Sequence, residues 1–131
     1  MQKLILLVDD DQDEFLILNE AVEMAGLPCY CLWANGADRA ERLLQHILPD
    51  LILIDYNMPV TNGMACLRNI RKMYNLRQVP IVMYSNHIND TTREQARNEG
   101  AVCMQKTASI EQLVKHLSIL AGEGKAISNF A

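Results

Sequence analysis

The sequence predicts an α/β fold: a doubly wound, five-stranded parallel sheet with five helices. Two observations carry this. Apolar blocks of four to six residues alternate with helix-length amphipathic segments along the chain. Alternating strand and helix units imply a parallel sheet covered on both faces. The blocks are also continuous apolar runs, which suits strands buried on both sides. At 131 residues the chain is about one domain.

The elements follow in order. Leu4 to Val8 is the first strand. Asp11, with Glu14 three residues on, reads as a helix N-cap with its capping-box partner. Phe15, Leu18, Val22 and Ala25 then recur at helical spacing, and Gly26 supplies the stop. Cys29 to Trp33 is the second strand, Asn35-Gly36 a turn, and Asp38 to Ile47 a helix ended by Pro49-Asp50. Leu51 to Ile54 is the third strand, closing on Asp55. A loop with Pro59 and Gly63 leads into a helix carrying Leu67, Ile70, Met73 and Tyr74. Ile81 to Tyr84 is the fourth strand, closing on Ser85. A polar segment from Ile88 to Glu99 reads as a helix with little apolar surface, chiefly Ile88 and Ala96, and so a mobile one. Val102 to Met104 is the fifth strand, followed by Lys106. Ser109 caps a last helix through Leu113, Val114, Leu117 and Leu120, and the chain from Gly122 reads as frayed.

Composition excludes several classes. Half the residues are apolar and 21% are charged, an ordinary globular balance. A net charge of −4 argues against a nucleic-acid module, which would cluster Lys and Arg. No apolar run reaches the roughly 18 residues of a membrane span, and the N-terminus lacks the core and cleavage site of a signal peptide. Cys29, Cys31, Cys66 and Cys103 fit no disulfide or zinc spacing and read as small buried hydrophobes in a reducing cytoplasm.

The acidic residues are unevenly spread. Asp9, Asp10, Asp11, Asp13 and Glu14 fall within six positions. In doubly wound sheets, ligands bind beyond the carboxyl ends of the strands. Asp9 and Asp10 follow the first strand, Asp55 the third, Ser85 and Asn86 the fourth, and Lys106 the fifth. The second ends in Trp33-Ala34-Asn35, with no comparable group. Singly, each has an ordinary reading: a helix cap, a turn serine, a solvated lysine. Together they describe a site. Crowded carboxylates favour a hard divalent cation such as Mg2+. A lysine can neutralise a phosphoryl group, a serine can hydrogen-bond one, and a carboxylate can accept one as an acyl phosphate. Asp55, alone at the end of a central strand, is the candidate nucleophile.

These residues resemble the receiver domain of two-component response regulators over about residues 3 to 120. LILLVDDD is similar to that family's first strand with its acidic pair, here Asp9 and Asp10. PDLILIDYNMPVTNG resembles the phosphoacceptor segment, with Asp55, Met58, Pro59 and Gly63. VPIVMYSN resembles the fourth strand with its terminal hydroxyl residue, Ser85, and EGAVCMQK the fifth with Lys106.

The resemblance implies the flavodoxin-like order 2-1-3-4-5, of which the chemotaxis receiver is itself a type example. It implies a receiver over residues 1–121 and a short tail over 122–131. It implies phosphotransfer to Asp55 from a phosphohistidine on a sensor histidine kinase or histidine phosphotransfer domain. Mg2+ (or Mn2+) would be held by Asp9, Asp10, Asp55 and the backbone carbonyl of Asn57. Lys106, Ser85 and the amides of Asn57 and Asn86 would hold the phosphoryl oxygens. The protein would be a cytoplasmic signalling domain without a separate turnover substrate, beyond slow hydrolysis of its own aspartyl phosphate. No DNA-binding or catalytic domain is expected after the last helix, so output would pass to a downstream protein or along a phosphorelay.

Three positions depart from the family pattern. Thr107 stands where proline usually follows the lysine, which predicts a trans bond after Lys106. Cys103 stands where an aromatic usually couples to the Ser or Thr, and Tyr84 is either a substitute or a core residue. The stretch from Gly100 to Lys106 is one residue shorter than usual. His87 lies where the family tunes dephosphorylation and is otherwise an exposed loop residue; His46 and His116 read as helix-surface residues. Two competitors differ in class: a receiver-like interaction module that is not phosphorylated, and a haloacid-dehalogenase-type phosphatase. Asp9-Asp10-Asp11-Gln12-Asp13 departs from the latter's Asp-x-Asp-x-Thr/Val.

Overall fold

The odd and even residues of each strand bury themselves on opposite sides of one parallel sheet, which is why the strands read as unbroken apolar runs. Ile5, Leu7, Leu51, Leu53 and Val82 pack on one side; Leu6, Val8, Ile52, Ile54, Ile81 and Met83 pack on the other. Each such fully buried side chain contributes roughly 1.5–3 kcal/mol of transfer free energy. The computed structural model describes residues 2–106. Among them the strands are β1 (Lys3–Val8), β2 (Cys29–Ala34), β3 (Leu51–Asp55), β4 (Ile81–Ser85) and β5 (Val102–Gln105), all parallel and in the order β2-β1-β3-β4-β5.

The helices are α1 (Gln12–Ala25), α2 (Ala37–Leu43), α3 (Gly63–Arg71) and α4 (Asp90–Asn98), with a short 3-10 turn at Tyr74–Leu76. Helix α1 covers one side of the sheet through Leu18, Ala21 and Val22. Helices α2, α3 and α4 cover the other through Ala40, Leu67, Ile70 and Ala96. The expected fifth helix from Ser109, the boundary at 121, the tail over 122–131, His116 and the Lys106–Thr107 bond lie outside the described residues. No described helix is long and apolar enough to cross a membrane.

Helix boundaries differ from expectation where backbone groups find better partners. Asp11 is the N-cap of α1 and its carboxylate accepts the Asp13 amide at 2.9 Å. Glu14 does not complete a capping box, because the Asp11 N–H goes instead to Oδ1 of Asp9 at 3.0 Å. Helix α2 stops at Leu43 rather than Ile47. Its end tightens through Gln45 N–H to Arg42 O, and the chain turns so that Asp50 Oδ2 accepts the Leu4 amide at 2.8 Å.

Helix α3 ends at Arg71 rather than Tyr74. The Arg71 guanidinium donates to the carbonyls of Leu76 (2.8 Å), Arg77 (3.2 Å), Val79 (2.9 Å), Glu99 (2.9 Å) and Gly100 (2.9 Å). That spread of acceptors requires the chain to fold back on itself, and Tyr74 is left exposed.

The cysteines are free thiols; three are buried and Cys31 is partly so. Burial pushes the thiols of Cys31 and Cys66 up to about 12, so they behave as hydrophobes.

Candidate functional site

Strand order reverses between β1 and β3, so the carboxyl ends of these neighbours open a crevice at the switch point. Asp9 continues β1 by one residue, and its amide donates to Ala34 O at 3.0 Å, extending the ladder with β2. Its side chain is 1% exposed. Asp10 follows and is exposed. Asp55 is the last residue of β3, buried beside them. One carboxylate oxygen from each of Asp9, Asp10 and Asp55 lies within 4.8 Å of the others.

Lys106 joins this group from the far strand. Its amide donates to Ser85 O at 2.7 Å, setting the chain as it leaves β5. Its ammonium is 3.4 Å from Asp55 Oδ1, 3.5 Å from Asp9 Oδ2 and 3.6 Å from Glu14 Oε1, over the ring of Tyr84 with Nζ 5.6 Å from the centroid. A side chain only 10% exposed is no solvated surface lysine. Burial draws its pKa down, but attraction to Asp9, Asp55 and Glu14 more than offsets this and holds it above the ordinary lysine value.

Burial pushes the Asp9 carboxyl up to about 6. The bond from Asp11 pulls it back, Asp55 raises it, Lys106 lowers it and Glu14 raises it. One ammonium thus faces three carboxylates, and Asp10 adds a fourth to the acidic group. The surplus negative charge and the all-oxygen donor set fit a hard divalent cation.

Ser85 ends β4 and is buried. Its hydroxyl donates to His87 O at 3.1 Å and accepts from His87 N–H at 3.3 Å and Asn57 Nδ2 at 3.4 Å. It is therefore bound to the turn leading into α4. The Asn57 amide donates to Asp55 Oδ1 at 3.3 Å. Asn86 and His87 are exposed. Tyr84 is a core residue on the α1 side, whereas Cys103 is buried on the other.

Sequence reasoning missed two residues here. Glu14, read as a capping partner, faces Lys106; its position one turn into α1, behind the acidic loop, was the available signal. Trp33 closes the end of β2, where no relevant group was expected. Its indole N–H donates to the carbonyl of Asp9 at 2.8 Å. Strand register pairs Leu7 with Trp33, which puts the only tryptophan beside the acidic loop.

A parallel sheet in this order, with an acidic group at its switch point and the lysine just past β5 reaching into it, defines a flavodoxin-like receiver domain. A family model described as the response regulator receiver domain matches residues 5–118, and the chain belongs to that family. It is 31% identical over 99 residues to the phosphate regulon transcriptional regulatory protein PhoB of Pseudomonas aeruginosa, covering 76% of this chain and 42% of that protein. The chain thus spans less than half of that relative. The phosphorylated cyanobacterial phytochrome response regulator RcpA superposes with a TM-score of 0.83 at 24% identity, covering 95% of this chain and 96% of that one. The Mn(2+)-bound response regulator Rcp1 does so with a TM-score of 0.77 at 22% identity, covering 90% and 91%. At these identities the structural likeness is one of fold. Family membership makes this a signalling domain rather than a metabolic enzyme.

Proposed function

We propose that Asp55 accepts a phosphoryl group from a phosphohistidine on a sensor histidine kinase or a histidine phosphotransfer domain. The observation that carries this reading is the convergence of Lys106 Nζ, 3.4 Å from Asp55 Oδ1, with the acidic group of Asp9, Asp10 and Asp55. Mg2+ (or Mn2+) would be held by Asp9, Asp10, Asp55 and the Asn57 carbonyl. Bound there, the cation would neutralise charge on the phosphoryl oxygens.

The chain's own residues do the rest. A carboxylate oxygen of Asp55 attacks phosphorus, the phosphorus–nitrogen bond breaks, and the donor imidazole leaves with its electron pair and takes up a proton. Such a displacement needs positioning and charge neutralisation more than acid–base chemistry. The ammonium of Lys106 meets the transferred oxygens, with the amides of Asn57 and Asn86. The Asn57 amide must leave Asp55 Oδ1 to do so, and the Ser85 hydroxyl must leave the His87 turn. That exchange couples Asp55 to the start of α4 and gives a two-state device. Output then passes to a downstream protein or along a relay.

The test is intact mass after incubation with Mg2+ and acetyl phosphate or phosphoramidate. One phosphate is gained by the wild type and none by Asp55→Asn. No gain in the wild type would favour an interaction module without phosphorylation. Sustained turnover of phosphomonoesters would favour a phosphatase.

A further inference from the structure

Asp9 is held by its backbone as much as by its side chain, and besides Lys106 Nζ at 3.5 Å from its Oδ2 it has three restraints, two of them from the end of β2. Its N–H donates to Ala34 O at 3.0 Å. Its carbonyl accepts the Trp33 indole N–H at 2.8 Å. Its Oδ1 accepts the Asp11 N–H at 3.0 Å. The Trp33 ring is itself fixed, stacked on Phe15 of α1 with centroids 6.0 Å apart and planes at 16°. Because a peptide is planar, fixing the Asp9 carbonyl also sets the plane that leads to the Cα of Asp10.

We infer that Trp33 is a positioning residue for the cation site. Its N–H locks the Asp9–Asp10 peptide so that both carboxylates face Asp55. This rests on the reading of Asp9, Asp10 and Asp55 as a Mg2+ site. Partners that hydrogen-bond a ligating group directly commonly alter metal affinity by about 10- to 100-fold; the indole holds the backbone of a ligand residue instead, which places its effect at the lower end of that range. Trp33→Phe keeps the ring that stacks on Phe15 and deletes only the donor.

The chain has one tryptophan, so ¹⁵N-labelled protein gives a single indole signal. Adding MgCl2 to the wild type should shift that signal and slow its exchange with solvent. By calorimetry, Trp33→Phe should bind Mg2+ about tenfold more weakly. Its phosphorylation should need a correspondingly higher Mg2+ concentration for half-saturation, while its circular dichroism without metal stays near that of the wild type. Equal Mg2+ affinity in wild type and variant would overturn the positioning role alone. So would an indole signal that stays fixed while the wild type binds Mg2+, a reading that holds even if the variant does not fold. No Mg2+ binding by the wild type would instead overturn the cation site, and this role with it.

Discussion

The amide of Gly63 donates to the carbonyl of Tyr56 at 3.0 Å, so the first turn of α3 lies directly against the peptide that follows Asp55. A Cβ on Gly63 would stand 2.7 Å from the Cα of Tyr56, and closer still to the Asp55 carbonyl oxygen. Backbone cannot yield there as a flexible side chain would. Gly63→Ala should cost about 2–3 kcal/mol by urea denaturation and slow Asp55 phosphorylation. Unchanged values for both would show that α3 can move away freely.

Lys106 is the main cation among buried and half-buried carboxylates. Lys106→Met should abolish phosphorylation and destabilise the metal-free protein by about 2–4 kcal/mol at pH 7.5. Added Mg2+ should raise the melting temperature more in this variant than in the wild type, because among the described residues Lys106 is the cation paired with these carboxylates. Calorimetric melts with EDTA and with MgCl2 check this.

The Asp9 carboxyl titrates near 6, above its ordinary value of 3.8. A folded-state pKa raised in this way favours the fold below the ordinary value, and the benefit is lost as pH rises through 6. In EDTA, this group should therefore lower stability between pH 4.5 and 7.5 by on the order of 1–3 kcal/mol. The raised pKa of Lys106 acts near its ordinary 10.5 and above, outside this window. Asp9→Asn should remove that part of the slope in urea midpoints. Mg2+ affinity should change the opposite way, tightening as pH rises through 6, because cation and proton compete for the carboxylate.

Arg71 ties the loop before β4 to the end of α4 through five carbonyls. A lysine cannot reproduce that fork. Arg71→Lys should cost about 1.5–3 kcal/mol. Hydrogen exchange should quicken at residues 76–79 and 99–101 while the amides of β1 stay protected.

Helix α4 buries only Thr92 and Ala96, whereas α1 buries Leu18, Ala21 and Val22. Its amides should exchange faster than those of α1 in the unphosphorylated protein. Equal protection, read by mass spectrometry, would contradict the sparse packing.

Elements governed by burial were legible in the sequence. Continuous runs such as Leu4 to Val8 admit one environment, a strand covered on both sides, and the strand ends then named Asp9, Asp55, Ser85 and Lys106. Elements governed by backbone hydrogen bonds were not. The end of α3 depends on where the Arg71 guanidinium finds its acceptors; at α1 the Asp11 N-cap was legible, but the capping-box partner was not, because Asp9 outcompetes Glu14 for the Asp11 N–H. Glu14 and Trp33 were missed for a related reason. Their roles depend on strand register and on the direction of a helix, neither of which a local pattern of residue types encodes.

Lys106 and Asp9 are 97 positions apart, and their meeting closes the ring of charges. Synthesis delivers the acidic pair early and the ammonium late. A ribosome-bound chain that has released Asp55 but not β5 carries a carboxylate without its counter-charge, on a sheet lacking an edge. On the proposed function, competence to receive a phosphoryl group would thus certify completed assembly: a donor meeting an unfinished copy would find Asp55 without its ammonium.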